Sequence, residues 1–204
     1  MADMYATDAA YGFMPYGNIL RAQMYAIVTA NAVQMCIGDL VEAVGQSVVT
    51  PKHGSLQKVI TEETGGAGDI VGGVLALFDS DFDPVYRIPV TTTGNSVIAG
   101  YALVADHPDQ VFHAQQDGDT TSIYDADIGL MAEAVSTSTP AANNNYLSTM
   151  EIDSNTIAGT ATFALHIIGV HPEDTIGTAS TAGNYARLLC TINSHYHGRA
   201  HTGA

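Results

Sequence analysis

The chain is cut at short intervals. Apolar runs of strand length end again and again at glycine, proline, aspartate or asparagine, and only in 23–33 does the alanine content leave helix open. They occupy residues 23–33, 40–44, 70–78, 85–90, 97–105, 110–115, 130–135, 147–153, 161–170 and 186–193. Strand-length runs spaced roughly ten residues apart, with turn signals between them, specify an all-β protein. The expected fold is mainly β, an antiparallel barrel or sandwich with few short helices. The surface composition agrees. Charged residues are only 13% of the chain, so Thr, Ser, Asn, Gln and Gly must face the solvent. Those residue types suit sheets and tight turns better than solvated helices.

Residues 1–18 (MADMYATDAAYGFMPYGN) carry aromatics and methionines without a helical stripe and read as an extended N-terminal arm. Aromatics in such an arm dock onto something, either their own domain or a neighbour. Residues 19–194 form the β-rich domain. The Thr/Gly/Asn turn at 91–97 is a candidate division into two subdomains, and 195–204 is a polar tail. Within the domain, 48–58 is polar and turn-like, 65–68 is a glycine loop and 136–146 is a low-complexity surface loop. Gly72 and Gly73 interrupt an apolar run, which suggests a bulge or a close backbone approach. Asp125–Gly129 reads as a helical turn closed by glycine.

The few charges are unbalanced, 6 Lys and Arg against 21 Asp and Glu, for a net −15. Binding a nucleic-acid backbone needs clustered cations, whereas Arg21, Lys52, Lys58, Arg87, Arg187 and Arg199 are scattered. Nucleic acid is therefore excluded as a partner, and an anionic membrane surface for the same reason. No apolar run approaches the ~18 residues of a membrane span, and no signal-peptide pattern opens the chain, so synthesis in a cytoplasm is expected. Cys36 and Cys190 each lie in an apolar run and read as buried reduced thiols.

Several constellations invite a chemical reading. Asp79-Ser80-Asp81-Phe82-Asp83 opens like a calcium loop, but Pro84 and Val90 stand where an EF-hand needs Gly and Glu. An acidic turn explains it. His195 and His197 would share a face of a strand, with His201 nearby, yet no third and fourth ligand is evident, so no metal is assigned. His166, on an apolar strand, reads as a satisfied core histidine. Gly65–Asp69 precedes a strand rather than a helix and lacks a lysine, unlike a phosphate cradle. Glu62-Glu63 and Asp125/Asp127 fall in turns, where capping accounts for them. No nucleophile elbow occurs and neither cysteine has a cationic setting. The expectation is a non-enzymatic protein without cofactors.

The segment 100–135 contains the corner VADHPDQVF, a glutamine-rich and acidic run, and DADIG leading into an apolar strand. The same picture takes in a Ser/Thr-rich segment ending in 147–153, an apolar strand at 163–170 with a Pro-acidic corner, a last strand at 188–195, and the stretches 13–17 and 37–41. Together they resemble a pattern found in small virion proteins of tailed bacteriophages. That resemblance implies a capsid decoration (cement) protein, bound on the outer surface of the virion head and stapling neighbouring subunits of the major capsid protein. It also implies a homo-dimer or homo-trimer. Tyr11, Phe13, Met14 and Tyr16 of the arm, with Arg21 as a charged anchor, are the expected partner-binding residues. The competing expectation is a head-fibre or host-surface module whose Thr/Asn loops contact glycans.

Overall fold

The computed structural model describes residues 9–28, 34–44, 55–58, 70–89, 98–118, 127–136, 147–173 and 185–198. The regular elements of these residues are strands, and Asp127 lies in a 3₁₀ turn at the start of its described stretch. In chain order they are β1 (Met14–Pro15), β2 (Ala22–Val28), β3 (Met35–Cys36), β4 (Leu40–Val44), β5 (Ser55–Lys58), β6 (Ile70–Asp79), β7 (Pro84–Val85) and β8 (Arg87–Ile88). There follow β9 (Ile98–Ala105), β10 (Phe112–Gln115), β11 (Met131–Ala132), β12 (Ala134–Ser136), β13 (Met150–Ile152), β14 (Leu165–Val170) and β15 (Arg187–Ile192).

A six-stranded sheet runs β4-β5-β2-β9-β6-β7, and β4 also pairs with β6. Five strands therefore close into a ring, with β7 as an outlying ribbon. All its pairings are antiparallel except β2 with β5, where Ala26 faces Ser55 and Ile27 faces Leu56 in parallel register. A second sheet, β1-β10-β15-β14-β11, is wholly antiparallel. The mainly β architecture expected of the alternating runs is what forms.

Side chains sort by the two-residue period of a strand. In β9, Ala102 and Val104 are buried inside the ring while Tyr101 and Leu103 face outward, half-buried. In β15, Leu188, Cys190 and Ile192 point to the core and alternate with Arg187, Leu189 and Thr191. Two buried clusters result. The ring encloses Tyr25, Ile27, Val41, Val71, Val74, Leu77, Ala102 and Val104, joined by Met35 and Ile88 of the β3–β8 pair. The other cluster packs Phe112, Leu165, Ile167, Leu188, Cys190 and Ile192 of the second sheet against Phe13, Leu40, Ile70 and Ala105. A bulge in β6 between Val74 and Ala76 turns Leu75 out of the ring and onto this second core. The Gly72-Gly73 interruption has the anticipated cause: a Cβ on Gly72 would collide with the Ala105 carbonyl oxygen.

Two expectations are corrected by this topology. The polar run 48–58 contains β5 at its end, a strand recruited by ladders to β2 and β4 rather than by its own apolar pattern. The turn at 91–97, the candidate division between subdomains, lies outside the described residues, and β9 beyond it pairs with β2 and β6. The chain changes sheet at 106–111, between β9 and β10. His166 is half-buried on the outer face of β14, opposite Leu165 and Ile167, and is not a core histidine.

Candidate functional site

Corner 106–111 is where three distant parts of the chain meet. Asp106 is fully buried. Its Oδ1 accepts the Arg21 Nε–H at 2.8 Å and its Oδ2 accepts the Tyr25 hydroxyl at 2.6 Å. A second Arg21 nitrogen donates to the Asp106 carbonyl at 2.6 Å, so the guanidinium grips both side chain and backbone. Because Tyr25 gives its proton to Asp106, the His197 Nε2 that lies 2.9 Å from the same hydroxyl must donate to it. Burial first, and then the bond to Asp106, push the Tyr25 phenol well above its ordinary range. It stays protonated and acts as a fixed donor.

The C-terminal residues reach this corner by folding back along β6. The Ser194 carbonyl accepts from Ile70 N–H, and Tyr196 N–H donates to the Ile70 carbonyl. His195 is thereby buried, and burial together with the adjacent His197 lowers its pKa to about 4. Its Nδ1 accepts the His197 N–H at 3.0 Å, which places the ring proton on Nε2. The same device closes both His-Pro-acid corners: His107 Nδ1 accepts from Asp109 N–H at 3.1 Å, and His171 Nδ1 from Glu173 N–H at 3.3 Å. The shared sequence order thus reflects shared turn chemistry, with histidine rather than the acid as the cap. Residues 195–198 are a strap, not a free tail; Arg199 and His201 lie outside the described residues. The rings of His195 and His197 are 5.9 Å apart, and among the described residues no group of three or more His, Cys, Asp or Glu is placed to hold a metal ion.

Residues 9–16 dock on their own fold, the first of the two alternatives for the arm. Phe13 N–H donates to the Gly38 carbonyl at 2.7 Å, and Met14 and Pro15 pair with His113 and Phe112. The arm crosses at Gly12 and Gly38, both at positive φ (78° and 91°), where a Cβ on Gly12 would strike the Gly38 carbonyl and one on Gly38 the Tyr11 carbonyl. Tyr11 hydroxyl lies 2.9 Å from His113 Nδ1, and Tyr16 sets its edge against the rings of His113 and His171.

Of the five expected partner-binding residues, Phe13 is wholly inside the second core, Tyr11 and Met14 are half-buried in the docked arm, and Arg21 is engaged with Asp106. Tyr16 is exposed, at 36%, and the Arg21 side chain keeps a similar share in solvent beside its ion pair. Tyr16 opens a loop that continues with Ile19 and Leu20, more than half exposed. That loop is pinned at both ends, by Tyr16 N–H to the Val111 carbonyl at 2.8 Å and by Leu20 N–H to Gln110 Oε1 at 3.0 Å. Sequence reasoning missed Ile19 and Leu20; two adjacent apolar residues after Gly17-Asn18 were the available signal. Cys36 and Cys190 are buried and neither is in a disulfide; burial raises the Cys190 thiol to about 12.

Comparison of the chain with protein-family models, characterised proteins and solved structures found no match to any of them.

Proposed function

We propose that this chain is a non-enzymatic decoration protein of a tailed-phage head, bound to the outer surface of the shell and stapling neighbouring subunits of the major capsid protein. The observation that supports this reading best is the pinned loop carrying Tyr16, Ile19 and Leu20. Its apolar side chains face solvent on a backbone already held by Gln110 and Val111, so ordering it on binding costs little entropy. Clustered apolar anchors on a rigid loop are how a small area supplies most of an interface's energy. In this role Tyr16, Ile19 and Leu20 replace Phe13 and Arg21, which serve the fold. The net charge of −15 keeps the protein away from packaged nucleic acid.

The mechanism is mass action. Binding only the expanded shell favours that state by RT ln(1+[L]/Kd), about 2.7 kcal/mol per site at a hundredfold excess over Kd. Co-sedimentation with purified mature heads tests the proposal. The expected result is saturable binding at a fixed ratio to the shell protein, lost in the Ile19→Asp/Leu20→Asp double variant, whose exposed positions leave the fold intact. Absence of co-sedimentation, or heads equally resistant to heat without the protein, would overturn it.

A further inference from the structure

The end of β9 remote from Asp106 carries an aromatic platform that the fold does not use. Tyr101 lies on the outer face of the ring, and the β6–β7 hairpin (residues 79–84) folds Phe82 flat onto it, with ring centroids 4.1 Å apart and 13° between planes. Phe82 nevertheless remains 56% exposed, because only one of its faces is covered. To hold it there the backbone adopts φ +67° at Phe82, the one non-glycine residue at positive φ among the described residues. That conformation is sterically costly for a bulky side chain. Tyr86, just past the hairpin, is 73% exposed. Asp81 and Asp83 flank Phe82 and are exposed, and no cationic side chain among the described residues pairs with either. Asp79 is occupied differently: its Oδ1 accepts the N–H groups of Asp81 and Asp83 at 2.9 and 3.0 Å, shaping the turn.

We propose that the Phe82–Tyr101 stack is a docking platform for a basic segment of a partner protein, taking an arginine or lysine side chain on the open face of Phe82 with Asp81 and Asp83 as counter-charges. Charge complementarity selects this occupant. A π-face attracts a cation through its quadrupole, and two unpaired carboxylates beside it add to that field. The whole molecule, at −15, draws in a basic segment from a distance. A second copy of this chain brings the same acidic tip and is repelled. The platform and the loop at Tyr16 lie at opposite ends of β9, so this inference stands whether or not the protein decorates a capsid.

The test uses the full chain and a fluorescent Gly-Arg-Gly-Arg-Gly peptide, with its citrulline counterpart as the uncharged control. Binding is followed by anisotropy at low salt. The expected result is saturable binding of the arginine peptide only, about fivefold weaker in Phe82→Leu and retained in Phe82→Tyr. Leucine keeps an apolar side chain without the π-face, and circular dichroism melts check that each variant is folded. Asp81→Asn should weaken binding more than Asp109→Asn, an equal charge change on an exposed acid at the far corner. Equal affinity of the citrulline peptide, unaltered binding in Phe82→Leu, or equal effects of the two Asp→Asn changes would overturn the proposal. So would binding of a pyranoside at the platform with no response to the arginine peptide.

Discussion

At the scale of single residues, the Asp106 corner gathers charge-assisted contacts between distant parts of the chain. Removing the buried carboxylate takes the acceptor from both Arg21, whose side chain stays partly exposed, and the buried Tyr25 hydroxyl. Asp106→Ala should therefore cost about 3 kcal/mol in urea denaturation, since Arg21 keeps only its bond to the backbone carbonyl. Tyr25→Phe should cost less, about 1–3 kcal/mol, because it deletes one donor and keeps the ring in the core. His195 adds a pH dependence of definite sign. Its pKa in the fold is about 4, against 6.5 for a free imidazole. The unfolded chain takes up this proton first as pH falls, so the group leaves stability untouched above about 6.5 and lowers it progressively towards 4. The full loss is about 3 kcal/mol, and it is masked in the wild type by titrating carboxylates. Comparing urea midpoints of the wild type and His195→Asn, whose amide oxygen replaces the Nδ1 acceptor without titrating, isolates it. The difference between the two should change between pH 6.5 and 4 and stay flat above.

At the scale of elements, what a strand reveals in sequence depends on what holds it. β4, β6, β9, β14 and β15 bury alternate or continuous apolar side chains, and their runs were legible within a few residues at each end. β5 was not, because Ser55–Lys58 has one apolar residue and is defined by pairing on both sides. β1 and β3 are two residues long and lie below any periodic signal. The candidate site was legible only in part. The arm's aromatics and the VADHPDQVF corner stood out, but the direction each side chain takes is decided by long-range partners such as Gly38 and Asp106. The arm's docking also rests on Gly12, whose lack of a Cβ lets the two backbones touch. Gly12→Ala should detach residues 9–16, seen as faster hydrogen exchange at Phe13 and Tyr16, with a stability loss of about 2 kcal/mol or more from the emptied Phe13 site.

At the scale of the whole molecule, the two cores are not independent. Leu40, Ile70 and Ala105 belong to ring strands yet pack in the second core, and the bulged Leu75 joins them there. The ring and the second sheet should therefore unfold together. Cys36, at the ring, and Cys190, in the second core, report on each half. In single-cysteine variants, both thiols should become reactive to a disulfide reagent over the same range of urea. Separate midpoints would show two cooperative units. The closed ring has a further consequence. Crowded β-proteins fuse into fibrils when an unpaired strand border templates the next molecule. Among the described residues the ring has no such border, its outlying ribbon β7 begins with Pro84, and the first strand of the other sheet is a dipeptide ending in Pro15. At the opposite margin β11 is covered by Ala158, bonded both ways to Met131. Copies held shoulder to shoulder at high local density would stay separate, native particles rather than seed amyloid.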